Sequence, residues 1–401
     1  MNLLLSAGLI FTFCAIAFCL YRWGNVVCIG VTPVKTFTFI AILFTSGLDV
    51  GLIMFPLTEF PVYADLEANP QYAFSNPLAL EFGFWGFLIW SFYFLTCFYF
   101  CVLEPRVKFF EIPVVKFVNN VVIVGTCAFT AFLLLSNLPW YLPGIGDGES
   151  VVLTFYAIVF AVILAAVYSS TDLKYVRILS LGSTFLFLGL IVIMAIAAKV
   201  SPGEFAERMG MIGSYFGDLH RFALPIDDYH AFYLFWWFAW SIMIGQFTSR
   251  FVGGLKTWQV LGALLVFPSI PLAIWFAVLY SFHEQGIDTT GFLSISMVIV
   301  GITFVVNSLD SLVRLYTDNL SLTPTRLGRM QYIVGNVVVL CLLTLLFQLE
   351  FLQIQWVGAL VIGLYFSCFA YILLVKRAEV AAIDSSPADR VLDFKATETA
   401  H

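Results

Sequence analysis

Apolar residues run through this chain in eleven long stretches, roughly 2–21, 36–57, 82–103, 115–137, 151–169, 178–198, 229–249, 257–282, 292–313, 331–350 and 353–375. At ~20 residues, each can cross ~30 Å of hydrocarbon as a helix. The pattern predicts an all-α polytopic membrane protein with eleven transmembrane spans. One connection differs from the others. Residues 200–228 carry Phe205, Met209, Ile212 and Phe216 at helical spacing with charges between them, the pattern of an amphipathic helix lying on the outer surface. It separates five spans from five more. The predicted units are an extra N-terminal helix with its cytoplasmic loop (1–35), a first five-helix repeat (36–199), the surface helix (200–228), a second five-helix repeat (229–375) and a polar, disordered cytoplasmic tail (376–401). No residue-level repeat relates the two halves, so the 5+5 division rests on hydropathy and motif position.

Composition agrees with this class. The 401 residues are 61% hydrophobic and 11% charged, and the lipid bilayer is the expected surrounding. A net charge of −6 without a basic cluster gives no surface for nucleic acid. Sixteen of the nineteen Lys and Arg residues fall in one alternate set of connections and the tail. Only Lys199, Arg208 and Arg221 fall in the other set. The positive-inside rule then predicts an external N-terminus, a cytoplasmic C-terminus and a multi-pass protein of the cell (inner) membrane. The first 21 residues lack a basic n-region and a small-residue cleavage site, so they read as a retained helix. The eight cysteines lie in or beside apolar stretches with no CxxC pair, and the four histidines have no metal-ligand spacing. No cofactor, no metal site and no enzyme are expected.

Three segments carry candidate chemistry. In the second stretch, Thr45-Ser46-Gly47-Leu48-Asp49-Val50-Gly51 places two glycines inside a span, where a helix can open and expose backbone groups to a ligand or ion. Asp49 costs at least ~2.5–3.5 kcal/mol at a helix centre and so needs a cavity and a partner. It suits a counter-charge for a cationic substrate, a proton-titrating site, or a packing lock between spans. In the third stretch, Trp85, Trp90 and Tyr93 fall at about 0°, 140° and 80° on a regular helix, a broad aromatic face. The seventh stretch holds Trp236, Trp237 and Trp240, followed by Gly245. An aromatic belt at the membrane interface explains single tryptophans, but three within five residues go beyond it. Aromatic faces attract quaternary ammonium groups, and a glycine break in each half points to a transporter binding site. The ninth stretch carries Asn307-Ser308-Leu309-Asp310-Ser311, whose oxygens could hold a hard cation such as Na+. Equally, its serines could bond back into the helix while Asp310 pairs with Arg314 one turn on.

Together these residues resemble the betaine/choline/carnitine transporter family over about residues 12–375. Trp236-Trp237-x-x-Trp240-Ser241 with its following glycine and arginine matches the family signature. The Gly47–Glu59 stretch looks like its glycine motif with a downstream Glu, and Asn307–Ser311 looks like its Thr-Ser-Ala-Asp-Ser motif. The resemblance implies a leucine-transporter-like 5+5 inverted repeat with one extra N-terminal helix, and ion-coupled alternating access. It implies import of choline, glycine betaine or a related onium compound, with Na+ or H+ as coupling ion, and a homotrimer. It also implies a substrate box of Trp85, Trp90, Tyr93 and Trp237. Trp236 and Trp240 would line the path and Asp49 would balance or couple. The coupling ion would sit among Thr45, Leu48, Asp49, Phe304, Asn307 and Ser308. There are departures. The usual first of twelve spans is missing, Asp49 replaces a glycine, Ile242 and Met243 replace the usual Pro and Phe, and Asn307 stands for Thr. Asp49 beside an intact box favours choline over betaine. The eroded motifs leave a second reading, a transport-inactive relative that senses substrate or serves as an accessory subunit.

Overall fold

In the computed structural model, residues 1–46, 50–172 and 174–383 are described. The protein is 79% helical, and helices cover all eleven apolar stretches. Among the described residues, eight are long and apolar enough to cross a membrane by length and composition, beginning with Asn2–Trp23 and ending with Ile354–Val375. The other three depart from that simple form for separate reasons. The second stretch holds the helices Thr36–Ser46, Gly51–Met54 and Pro56–Ala64, the last two separated at Phe55. The fifth is the short Leu153–Ser169 helix of 17 residues. The seventh, Asp228–Ser249, is a continuous helix whose residues from Tyr233 to Ile244 are all buried. Its aromatic content, rich in Trp and Tyr, lowers its hydropathy while raising the surface it can bury.

Connections on the same predicted side of the membrane meet one another. At one end, Asn2 bonds Asp228, Tyr72 donates to Asp227 at 2.5 Å and Arg208 pairs with Glu284 at 3.0 Å. At the other, Arg22 and Trp23 donate to the carbonyls of Ala381 and Ile383. There too a short strand Val27–Ile29 pairs antiparallel with Gly253–Lys256. The segment after the sixth stretch forms the helix Pro202–Gly217, started by a capping box between Ser201 and Glu204. Its Tyr215 and Ile212 are buried and Phe216 is half exposed.

Helices approach closely where glycines permit. A Cβ on Gly245 would lie 2.1 Å from Thr96 Oγ1 and 2.7 Å from the Thr96 carbonyl carbon, so the third and seventh stretches touch through backbone. There Thr96 Oγ1 also donates to the Ser241 carbonyl at 2.7 Å. A Cβ on Gly358 would lie 2.3 Å from the Phe235 carbonyl oxygen, which brings Ile354–Val375 against the same helix.

Candidate binding site

The site is built on two interrupted helices and one intact one. The third stretch, Pro77–Val107, does not run as the regular helix its spacing predicts. Gly86 is extended at φ −111°, ψ 172°, Phe87 takes a positive φ of 43°, and a 3-10 turn Phe87–Ile89 precedes the helix that restarts at Trp90. Such a break leaves amides and carbonyls without intrahelical partners in a place with no water. Four of them are met by side chains. Phe87 N–H donates to Ser269 Oγ at 2.9 Å and Leu88 N–H to the Tyr215 hydroxyl at 3.2 Å. The Phe84 carbonyl accepts from Trp237 Nε1 at 2.8 Å, and the Trp85 carbonyl from Trp90 Nε1 at 3.2 Å. Two of the predicted box tryptophans therefore hold the break open as well as presenting rings.

The second stretch breaks on the other side of the box. Pro56 has no N–H to give the Leu52 carbonyl, and Trp275 Nε1 donates to it instead at 2.9 Å. The Met54 carbonyl accepts from the Tyr141 hydroxyl at 2.6 Å. Here Gly51 has a direct role: a Cβ on it would meet Trp85 Cη2 at 2.6 Å and Trp236 Cη2 at 3.0 Å. Backbone thus lies against two indole rings.

These constraints bring the predicted aromatic residues together. Trp85 stands edge-on to Trp236 (5.3 Å between ring centroids) and to Trp237 (5.4 Å), Trp90 to Tyr93 (5.2 Å), and Tyr93 to Trp237 (6.2 Å). Trp236 and Trp237 stack at 8°. All are at most 1% exposed. Trp240 is buried on the same helix, and no ring contact joins it to the box among the described residues. The indole Nε1 groups of Trp236 and Trp240 are buried without an acceptor.

Of the predicted ion residues, Asp49 and Leu48 lie outside the described residues, as does the Thr45 side chain. Around them, Phe44 packs edge-on against Phe304 at 6.4 Å, and a Cβ on Gly301 would meet Val50 at 3.1 Å. Phe44 and Val50 of the second stretch thus pack against Phe304 and Gly301 of the ninth. Asn307 and Ser308 are fully buried one turn further on, and Ser180 Oγ donates to Asn307 Oδ1 at 3.2 Å. Asp310 takes its packing role: it pairs with Arg314 at 3.1 Å and accepts from Ser169 Oγ at 2.8 Å.

Sequence reasoning did not foresee the polar group beside the box. Glu59 accepts hydrogen bonds from the hydroxyls of Tyr63 (2.9 Å), Tyr233 (2.5 Å) and Tyr229. The Tyr233 ring also packs on Trp85 (5.4 Å) and Trp236 (5.6 Å), so one side chain joins this carboxylate to the box. Tyrosines near span ends read as interfacial residues, and Glu59 entered the sequence reading only as the Glu downstream of the glycine motif. A cavity of about 300 Å³ lined by Leu57, Trp140, Phe282, His283 and Ile287 lies at the same end of the molecule.

No protein-family profile matches the chain. It is 24% identical over 421 residues to an ectoine/hydroxyectoine transporter of Virgibacillus pantothenticus, covering 87% of this chain and 82% of that one. It is 24% identical over 283 residues to an uncharacterized transporter of Mycobacterium tuberculosis, covering 60% and 46%. It is also 21% identical over 285 residues to the glycine betaine transporter OpuD of Bacillus subtilis, covering 60% and 54%. The chain thus spans about half the length of the last two. These relatives are transporters, and the chain is similar to them as a multi-pass membrane protein of transporter type and not as an enzyme.

Proposed function

We propose that the chain is a secondary active transporter that imports a methylated onium compound or a related zwitterionic osmolyte by ion-coupled alternating access. The observation that carries this reading is the closed aromatic box, with Gly51 backbone against Trp85 and Trp236. Trp85, Trp90, Tyr93 and Trp237 would surround a trimethylammonium head, each ring face contributing ~0.5–2 kcal/mol. The rings touch one another, so a ligand enters only when they part, as alternating access requires.

The unpaired Nε1 groups of Trp236 and Trp240 favour a ligand that also brings an acceptor. Glycine betaine and ectoine carry a carboxylate for that purpose, and choline carries a hydroxyl. The relatives named for ectoine and glycine betaine support the zwitterions. A coupling Na+ or H+ would sit among Thr45, Leu48, Asp49, Phe304, Asn307 and Ser308, where the broken second stretch meets the ninth. The basic connections support an external N-terminus, and the Pro202–Gly217 helix offers a surface for a homotrimer.

Uptake of radiolabelled glycine betaine, ectoine and choline into proteoliposomes tests the reading, with sodium and proton gradients imposed separately. We expect uphill uptake of at least one. Trp237→Phe keeps a ring but loses the bond to Phe84, and should bind with at most about tenfold lower affinity. Trp237→Ala should lose binding. Wild-type affinity in Trp237→Ala would remove Trp237 from the box, and uptake of none of the three compounds would exclude the transport reading.

A further inference from the structure

Next to Glu59 lies a second carboxyl group that nothing has yet assigned. Glu81 is fully buried, one helical turn before Trp85, and neither of its oxygens makes a hydrogen bond. Its neighbours are Glu59, Tyr63 and Trp85. Among the described residues no Lys, Arg or His bonds or ion-pairs with either carboxyl. The groups that face the pair are tyrosines: Tyr63 on the Pro56–Ala64 helix, Tyr229 and Tyr233 on Asp228–Ser249, and Tyr141 at the end of Pro113–Tyr141. Further out, Tyr72 is held by Asp227, and His230 stacks on Phe84 while accepting from the Ile226 N–H. On the opposite flank, Tyr280 and His283 pack on Phe60. Arg208 pairs with Glu284 through Nε at 3.0 Å, and its Nη1 is buried without a hydrogen-bond partner.

Two buried carboxylates without a cation cannot both be ionised. Glu59 is already met by three tyrosine hydroxyls, so Glu81, whose buried oxygens have no hydrogen-bond partner, is the member that would carry the proton. We propose that Glu59 and Glu81 form a proton-binding site beside the aromatic box, with the proton resident on Glu81 in this closed conformation, and that a coupling H+ binds here and not among the residues of the second and ninth stretches. The proposal rests on the alternating-access reading in one respect. When the outer end opens, water reaches Glu81, its carboxyl gives its proton to that water, and the carboxylate is left hydrated. Closure reverses the transfer. Tyr233, bonded to Glu59 and packed on Trp85 and Trp236, links this exchange to the box. Because linkage is reciprocal, substrate that stabilises the closed box must raise proton affinity at the pair.

Infrared difference spectroscopy of the full-length protein in liposomes tests the proton directly. At neutral pH we expect the carbonyl band of a protonated, buried carboxylic acid, lost in Glu81→Gln. Absence of that band in the wild type, or its persistence in Glu81→Gln, overturns the proposal. A band seen only after sodium is withdrawn also overturns it, because a metal cation then occupies the pair. Transport supplies the coupling test, with glycine betaine as probe and the membrane potential clamped at zero. One proton per substrate gives about tenfold accumulation per unit of pH gradient. Glu81→Gln should keep substrate exchange across the membrane and lose this accumulation. Wild-type accumulation in Glu81→Gln overturns the coupling role. Failure of the wild type to exchange any onium or ectoine probe would count against the transport reading, while the infrared band still decides the proton site.

Discussion

At Gly51 and Gly245 a single added carbon atom would meet close neighbours, and the two differ in kind. At Gly51 a methyl group meets indole rings, which can shift only by changing the box. Gly51→Ala should therefore leave most of the fold intact, cost ~1–3 kcal/mol of stability by overpacking, and reduce substrate affinity. Tryptophan fluorescence titration with glycine betaine checks this, and an unchanged affinity would separate Gly51 from the box. At Gly245 the obstruction includes Thr96 backbone. Gly245→Ala should lower the thermal unfolding temperature more than Gly51→Ala. The clustering of Trp236, Trp237 and Trp240 was legible in the sequence because three within five residues exceed a belt. The Glu59 group was not, because Tyr229 and Tyr233 lie 170 and 174 residues from it in the chain. No local spacing predicts that meeting.

At the scale of elements, helix interruption is the recurring device, and four backbone groups at the Gly86 break have side-chain partners. Tyr215 of the surface helix donates nothing there; its hydroxyl oxygen accepts from Leu88 N–H. Tyr215→Phe leaves that amide unpaired in a dry environment and should cost ~1–3 kcal/mol, measured as a lower unfolding temperature in detergent. A loss within error would mean that water reaches the break. The surface helix has its own pH response. The Ser201 backbone N–H, and then its hydroxyl, hold the Glu204 carboxyl below the usual carboxylate range. A depressed folded value stabilises above the unfolded one and loses that contribution as pH falls through the folded one. Amides at the start of Pro202–Gly217 should thus lose hydrogen-exchange protection on acidification from about pH 6 to about pH 3, and Glu204→Gln should abolish the dependence. Hydropathy made the helices readable one by one. It missed the Gly86 break because one glycine inside an apolar run is compatible with a continuous helix, and Ser269 and Tyr215, which complete the break, are remote in sequence.

For the whole molecule, the charge pattern makes a directional statement that the contacts support in relative terms. Members of each predicted side meet: Tyr72 with Asp227 on one, Trp23 with Ile383 on the other. An epitope inserted in the 144–150 connection should be reached by antibody in intact spheroplasts, and a fluorescent protein fused after His401 should fluoresce in the cytoplasm. The reverse pattern would invert the topology. Among the described residues eight helices are long and apolar enough to span; the fifth stretch falls short by length and the aromatic seventh by hydropathy.

The pairing of Val27–Ile29 with Gly253–Lys256 has a consequence in time. Cys28 and its neighbour Thr257 are 229 residues apart. At the synthesis rate of ~5–20 residues per second, the first strand waits about 10–50 s for its partner. During that interval it presents an unpaired edge, a liability that proteins usually keep short-lived. A strand made among the first residues of the chain is satisfied only after more than half of the protein has been inserted. The pace of insertion through the seventh helix then sets how long this nascent chain is vulnerable.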